Sequence, residues 1–410
     1  MKKEKGIPLI WKIAIGFIIG IVLGFIIGPM ADSTPLIKNA LLPTLDLIGK
    51  IFLALLKMLI VPLVFASLVC GAGSIGDPKT LGRIGIKIMA LYIITTAIAI
   101  VIGLVLGNIM QPGIGLSIAG VTGEAKAAGS ISDVILNLFP ANPLKALVDG
   151  QMLQIIVFAL FLGVAAALAG EKGKLFLDFN NSLAETMYGV TAIVMKTAPF
   201  GVFALIAVTA AKYGFAVLAP FAKVIAAVYI GCFLQAILVY SGIVTFITRK
   251  SPRWFFSGVK EAMLSAFVTR SSSATLPITM RNVQENLGVS EKISSFTLPL
   301  GATVNMDGTA LYQGVCALFI AQAFGIPLSL GAQVGILLTA TLASIGTAGV
   351  PGAGLIMLSM VVTGAGLPIE GVGLVAGIDA VLDMARTCIN VTGDMACTTA
   401  VAKSEGETLK

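Results

Sequence analysis

The sequence predicts an all-α polytopic membrane fold, and three features predict it. Of 410 residues, 57% are apolar and 11% charged; the mean hydropathy is +1.00; and apolar runs long enough to span recur along the chain. Water is not the main solvent of such a sequence. Runs such as IAIGFIIGIVLGFIIG and IMALYIITTAIAIVIGLVLG approach or reach the roughly 20 residues a helix needs to cross about 30 Å of hydrocarbon.

The first span is expected at 9–30. The preceding MKKEKG has the look of a secretory leader, but the apolar stretch is long and many spans follow, so it reads as a span. Further helical spans are expected at 40–74, 84–111, 132–169, 183–213 and 218–248, the longest tilted or broken. Residues 112–130, PGIGLSIAGVTGEAKAAGS, read as a mobile outside loop rich in Gly, Ala and Ser. The formal charge of +7 does not point to nucleic acid, because the basic residues cluster in short loops. Lys2, Lys3 and Lys5 precede the first span, Lys79, Arg83 and Lys87 follow the second, and Arg249, Lys250, Arg253 and Lys260 follow the sixth. The positive-inside bias puts these loops and both termini on the cytoplasmic side of a cell (inner or plasma) membrane. Five cysteines without CxxC spacing and a complete lack of histidine argue against a disulfide framework, a zinc site, an imidazole proton shuttle and a triad base. No enzyme is expected.

After residue 255 the texture changes. EAMLSAFVTRSSSATLPITMRNVQENLG is too polar at its centre to span, yet each half is a short helix's worth of residues. GILLTATLASIGTAGVPGAGLIMLSMVV repeats the design around a Gly-rich tip. Non-helical backbone at membrane depth is tolerated only where protein buries it or water reaches it, so both segments read as re-entrant hairpins. Two interrupted apolar segments in corresponding halves of a chain point to a transporter's binding site made from inverted repeats. NMDGT (305–309) after the first hairpin and NVTGD (390–394) after the second share an Asn-x-x-Gly echo, although the intervals that precede them are unequal.

Asp379, Asp383, Arg386, Asn390 and Asp394 are 4, 3, 4 and 4 residues apart, which at about 100° per residue puts all five within roughly 80° of one helix's circumference. Charges at that depth cost several kcal/mol unless they face a cavity or each other. An Arg386–aspartate pair that merely holds helices together is one reading, but it leaves excess carboxylates, with Asp307 in the preceding span as a further one. Cations would balance them. Sodium favours carboxylate, amide and carbonyl oxygens, which unwound NMDGT and GTAGVPG would expose. Planar Arg386 suits bidentate capture of a substrate carboxylate. Arg270, Ser271 and Ser272 at the first tip offer a second basic group with hydroxyls and amides for a ligand anion, where an isolated serine cluster is a turn or cap. On chemistry alone Met306 reads as packing, and Tyr92, Thr95 and Thr96 as helix-to-helix hydrogen bonding.

Together RSSSATLP (270–277), NMDGT (305–309), SIGTAGVPGAG (344–354) and DMARTCINVTGD (383–394) resemble the glutamate transporter family, the dicarboxylate/amino acid:cation symporters, and most of all its prokaryotic sodium-coupled aspartate/glutamate transporters. The likeness covers nearly the whole chain. It implies a bowl-shaped homotrimer in the lipid bilayer, each protomer having eight transmembrane helices and two re-entrant hairpins and working as an elevator. Residues 1–83 would be scaffold helices one and two, 84–111 transport-domain helix three, 112–215 the outside loop and scaffold helices four and five, 216–402 the rest of the transport domain, and 403–410 a cytoplasmic tail. By this resemblance Arg386, supported by Thr387, binds the substrate's side-chain carboxylate and Asp383 its amino group. Asn390, Thr309 and Ser272 hold its main-chain groups, and Val350, Gly352 and Gly354 close over it. One sodium ion would use Asp394, Asn390, Asn305 and Gly301; a second Thr303, Met306, Ser344, Ile345 and Thr347; a third Asp307, Asn305, Tyr92, Thr95 and Thr96.

Dicarboxylate carriers of the family lack an aspartate matching Asp383, and neutral amino acid carriers lack an arginine matching Arg386. A chain with both is expected to import L-aspartate or L-glutamate with sodium. Gln313 stands where proton-coupled animal members have glutamate, which argues against proton countertransport by that route. Arg270 lies on the first hairpin as in sodium-coupled archaeal members, and Ala274 stands where some relatives have a tip glycine. The alternatives within the family are proton-coupled glutamate symport and neutral amino acid or C4-dicarboxylate symport. Outside it they are an ion channel, and intramembrane proteolysis, which VTGD disfavours by lacking the first glycine of a GxGD-like motif.

Overall fold

The apolar runs stay helical through their many glycines, and the computed structural model is helical throughout, with no strand among the described residues. Those residues are 9–31, 33–73, 78–116, 139–214, 218–345, 347, 349 and 351–410. The helices are α1 (Leu9–Met30), α2 (Leu42–Gly73), α3 (Pro78–Met110), α4 (Pro143–Asp149), α5 (Met152–Leu168), α6 (Glu171–Met195) and α7 (Ala198–Tyr213). The eighth, α8 (Leu218–Thr248), winds through two π-turns, Gln235–Tyr240 and Val244–Thr248. Four of these, α1, α2, α3 and α8, are long and apolar enough to cross a membrane, and the bent pair α6–α7 makes a fifth candidate. Flanking side chains such as Ile109 and Phe246 are apolar and exposed, as a hydrocarbon solvent requires.

Two expected spans differ from what is found. In place of 132–169 stand short α4 and α5, separated where Gly150 turns left-handed at φ 65°; Asn142 caps α4 by accepting from the Lys145 N–H. Residues 132–138, most of the 112–130 loop and Lys2, Lys3 and Lys5 lie outside the described residues. In place of 183–213, α6 begins at Glu171 and meets α7 at a 51° bend. Polar EKGKLFLD does not look like a span, yet it forms the first turns of a helix with one buried face. The bend falls at Lys196–Thr197 because Pro199, at the start of α7, has no N–H to continue the ladder.

The C-terminal half holds α9 (Pro252–Thr269), α10 (Ser272–Arg281), α11 (Glu291–Val304), α12 (Asp307–Ala323), α13 (Leu330–Ser344), α14 (Ala353–Gly364), α15 (Glu370–Ala376) and α16 (Asp379–Ser404). Both expected hairpins are helix pairs, α9–α10 and α13–α14. Their tips touch: Ser271 donates to the Gly349 carbonyl at 2.6 Å and the Ser273 N–H to the same oxygen at 3.1 Å. The chain also unwinds between α11 and α12 at Asn305–Met306. The Asn-x-x-Gly echo does not extend to conformation, since Asn390 lies within unbroken α16; the corresponding interruption comes earlier, at Gly377–Ile378 between α15 and α16. Helix α12 is buried on nearly every side, packed by α3, α8 and α16.

At one end, residues 404–410 fold back on the start of α3 and the α10–α11 turn. Glu405 accepts from Arg83 (2.5 Å) and Lys87 (2.7 Å), Glu407 from the Ser290 N–H (3.0 Å), and the Lys410 N–H reaches the Leu287 carbonyl (3.1 Å). Hydrogen bonds from Arg83 and Lys87 pull the Glu405 carboxyl down to about 2.

Candidate functional site

The stripe read from residue spacing is real and wholly interior. Asp379, Asp383, Arg386, Asn390 and Asp394 are each less than a tenth exposed, and Arg386 is at 0%. Arg386 donates from Nη1 to Asp379 at 2.7 Å and from Nη2 to Asp383 at 2.8 Å. Its guanidinium lies over the Tyr312 ring, 4.0 Å from the centroid, a favourable cation–π placement. Nε, on the same edge of the guanidinium as Nη2, is buried without a partner among the described residues. Asp383 also accepts weakly from Thr387 (3.5 Å) and the Gly352 N–H (3.4 Å), and Arg270 stands 3.9 Å away. Arg270, a non-glycine residue at φ 54°, occupies the turn of the first tip. That is a strained conformation, which aims its side chain inward.

Arg270, Ser272, Met306, Thr309, Thr347, Gly354, Asp383, Thr387 and Asn390 surround one cavity of about 10 Å³, close to the least that holds one water. The tips are shut on it. Arg386 itself does not line this cavity: α14 covers it so closely that a Cβ on Gly354 would lie 2.9 Å from Cζ. Beyond Arg270 and Gly352 lies a larger chamber of about 300 Å³, walled by α1, α2, the α6–α7 bend and the start of α16.

Asn390 pins the unwound 305–306 segment. Its Oδ1 accepts from the Gly308 N–H at 2.8 Å, and its Nδ2 donates to Met306 Sδ and Thr309 Oγ1, both at 3.2 Å. The adjoining carboxylates have no basic partner among the described residues. Asp394 accepts from Asn305 Nδ2 at 3.0 Å. A Cβ on Gly301 would come within 2.6 Å of both Asp394 Oδ1 and the Tyr92 hydroxyl, so only glycine permits that approach. Asp307, at 0% exposure, accepts from Thr96 (2.7 Å) and Thr95 (3.3 Å) on one oxygen and from Tyr240 (2.7 Å) and Gln235 (3.1 Å) on the other. Thr95 also reaches Asn305 Oδ1 at 3.3 Å and its own helix's Tyr92 carbonyl at 3.2 Å. The donor chemistry fits a small hard cation: carboxylate, amide, hydroxyl and carbonyl oxygens in a dry cage.

Two of the three expected cation sets are therefore brought together, around Asp394 and around Asp307. The third is so only in part. Met306 and Thr347 share the cavity, and Ser344 and Ile345 are buried at the second tip. Thr303 is exposed and donates back to the Leu300 carbonyl, and among the described residues no hydrogen bond ties it to that tip. Ser271 is spent on the tip-to-tip bond, and Val350 lies outside the described residues. Tyr312, Gln235 and Tyr240 were not anticipated. Polar groups in the otherwise apolar middle of α8 are the signal that marks the last two.

A family model described as the sodium:dicarboxylate symporter family matches residues 9–404. The chain is 39% identical over 411 residues to the proton/sodium-glutamate symport protein of Geobacillus stearothermophilus, covering 98% of this chain and 95% of that protein. It is 38% identical over 412 residues to the proton/glutamate-aspartate symporter of Escherichia coli (97% and 93%), and 33% identical over 431 residues to excitatory amino acid transporter 3 of Mus musculus (92% and 82%).

Proposed function

The chain belongs to the sodium:dicarboxylate symporter family, and from that premise we propose that it imports L-aspartate or L-glutamate together with sodium. It is a transporter and no enzyme. The observation that carries the substrate reading is the half-used guanidinium edge of Arg386, whose Nη2 holds Asp383 while the adjacent Nε is buried with no acceptor among the described residues. A buried donor left unmade is costly, and a carboxylate that displaces Asp383 finds both donors side by side, the bidentate geometry arginine offers best. Asp383, freed, turns to the substrate ammonium. Thr309, Asn390 and Ser272 take the main-chain carboxylate.

The shut cavity has no room for an amino acid, so entry requires the tips to part at Ser271–Gly349 and Gly354 to lift off Arg386. Val350, Gly352 and Gly354 then close behind the substrate. Sodium ions occupy the cages at Asp394 and Asp307, with a further ion at Met306, Ser344, Ile345 and Thr347. Without them the two uncompensated carboxylates stay unbalanced at membrane depth, which is why ions and substrate move together. On this reading α9–α10 and α13–α14 are re-entrant hairpins within eight transmembrane helices, and the chamber between them and α1, α2 and α6–α7 parts two bodies that slide as an elevator in a homotrimer with cytoplasmic termini.

Relatives named for proton and sodium coupling or for proton coupling alone make proton symport the second reading. Uptake of labelled L-aspartate, L-glutamate, L-serine and succinate into proteoliposomes, with sodium and proton gradients imposed separately, tests both. Sodium-driven concentration of the two acidic amino acids is expected. Uptake driven by a proton gradient in sodium-free medium overturns the coupling, and preference for succinate or serine overturns the substrate.

A further inference from the structure

None of the expected cation sets includes α8, yet α8 reaches Asp307. Its π-turn runs from Gln235 to Tyr240, and both ends are buried at 0% exposure. At about 100° per residue an α-helix would leave residues five apart roughly 140° apart around its axis. The i→i+5 winding instead brings them to one side, and both donate to the same Asp307 oxygen, Gln235 Nε2 at 3.1 Å and Tyr240 at 2.7 Å. Gln235 Nε2 also donates to the Thr95 carbonyl at 3.1 Å, so its carboxamide sits between a carboxylate and a carbonyl that both belong to the Asp307 cage. The other end of that amide, Oε1, is buried with no partner among the described residues. Single π-turns within helices are rare and gather at functional sites.

We propose that Gln235 is a further ligand of the cation at Asp307. With no cation present, its amide donates to Asp307 and to the Thr95 carbonyl, holding the cage's oxygens apart. When a monovalent cation enters, a half-turn of the amide brings Oε1 to the same place. That rotated form sets an acceptor against two acceptors, so it is favourable only with a cation between them. Tyr240 holds the carboxylate in both states. The proposal rests on the reading of Asp307 as a sodium site.

The test uses the purified full chain without substrate, its thermal unfolding followed in sodium/choline chloride mixtures of fixed ionic strength. Asp307→Asn defines the part of the sodium response that belongs to this cage. Gln235→Met removes both ends of the amide at similar size and is expected to raise the sodium midpoint of that part about 10- to 100-fold. Gln235→Glu keeps an oxygen and loses the donor; it is expected to unfold sooner in choline yet respond to sodium at or below the wild-type midpoint. A purely structural bridge between α3, α8 and α12 gives the opposite pattern, with Gln235→Met lowering the Tm equally in every mixture. A wild-type midpoint in Gln235→Met, or loss of the response in Gln235→Glu, overturns the proposal. If Asp307→Asn leaves the response intact, the failure lies in the sodium reading itself.

Discussion

Two clusters of buried charge lie within the same helices and are balanced in opposite ways. Around Arg386, one guanidinium is held by Asp379 and Asp383 and covered by Tyr312 and Gly354. Around Asp307 and Asp394, two carboxylates meet only hydroxyls and amides among the described residues. Equal burial thus hides unequal electrostatics. The arginine cluster already has its counter-ions and can take an anion only by exchange. The aspartate cages hold charge that neutral donors stabilise but do not cancel, so they are completed by something added. On the proposed function, the first is a site of substitution and the second a site of insertion.

Removing Arg386 is the strongest attack on this contrast. Arg386→Ala is expected to weaken L-aspartate binding by about 30-fold or more, since truncating one side of a buried, hydrogen-bonded charge pair costs about 2–5 kcal/mol. Isothermal titration in saturating sodium reads it. The stranded Asp379 and Asp383 should also lower the Tm, so Arg386→Lys, which retains the charge without the fork, is the companion variant. If sodium still stabilises either substrate-free protein, the two clusters are separable. If sodium stabilisation disappears with the arginine, they are one site and the contrast fails.

Asp394→Asn probes the other side. Its expected effect is a 10- to 100-fold rise in the sodium midpoint, with L-aspartate affinity reduced at low sodium and regained at high sodium. An affinity loss that no sodium concentration repairs would place Asp394 with the substrate. Gly354→Ala should act more mildly, because its Cβ would stand 2.9 Å from Arg386 Cζ and the second hairpin must shift to keep both. About a tenfold loss of substrate affinity with an unchanged sodium midpoint is expected. Equal losses of both would mean that α14 supports the cages as well.

The difference between the clusters also explains what the residues alone revealed. The stripe on α16 was legible because spacings of 4, 3, 4 and 4 put its members on one helix face, a local property of one segment. The hairpins were legible because a polar tip in the first and a Gly-rich tip in the second interrupt apolar runs. What completes each cluster comes from segments far away: Tyr312 covers Arg386 from α12, and Gln235 and Tyr240 reach Asp307 from α8, about 70 residues earlier. Tyrosine and glutamine at those positions have ordinary roles in an apolar span, and only the π-turn turns both inward. The double pairing of Arg386 was invisible for a related reason. The spacing permits Asp379 and Asp383 equally, and nothing in a helical projection says that the guanidinium takes both. Helix α6 was missed at its start because a charged face turned to water masks the buried one.

The smallest expected effect lies outside both clusters and serves as their contrast. Glu405 is a charge balanced at the surface, joined to Arg83 and Lys87 near the start of α3. Its carboxyl is depressed from the usual 4.5 to about 2 by their hydrogen bonds. A carboxyl depressed by folding stabilises most above its unfolded value, and that contribution fades as pH falls from about 4.5 through about 2. Glu405→Gln should therefore lower the Tm slightly at pH 7, by an amount that shrinks toward pH 3 and with rising salt, since exposed pairs are screened. L-aspartate affinity and the sodium midpoint should not change. A gap in Tm as wide at pH 3 and in high salt as at pH 7 would mean that Glu405 acts through packing of the 404–410 segment on α3, and that its balanced charge counts for little.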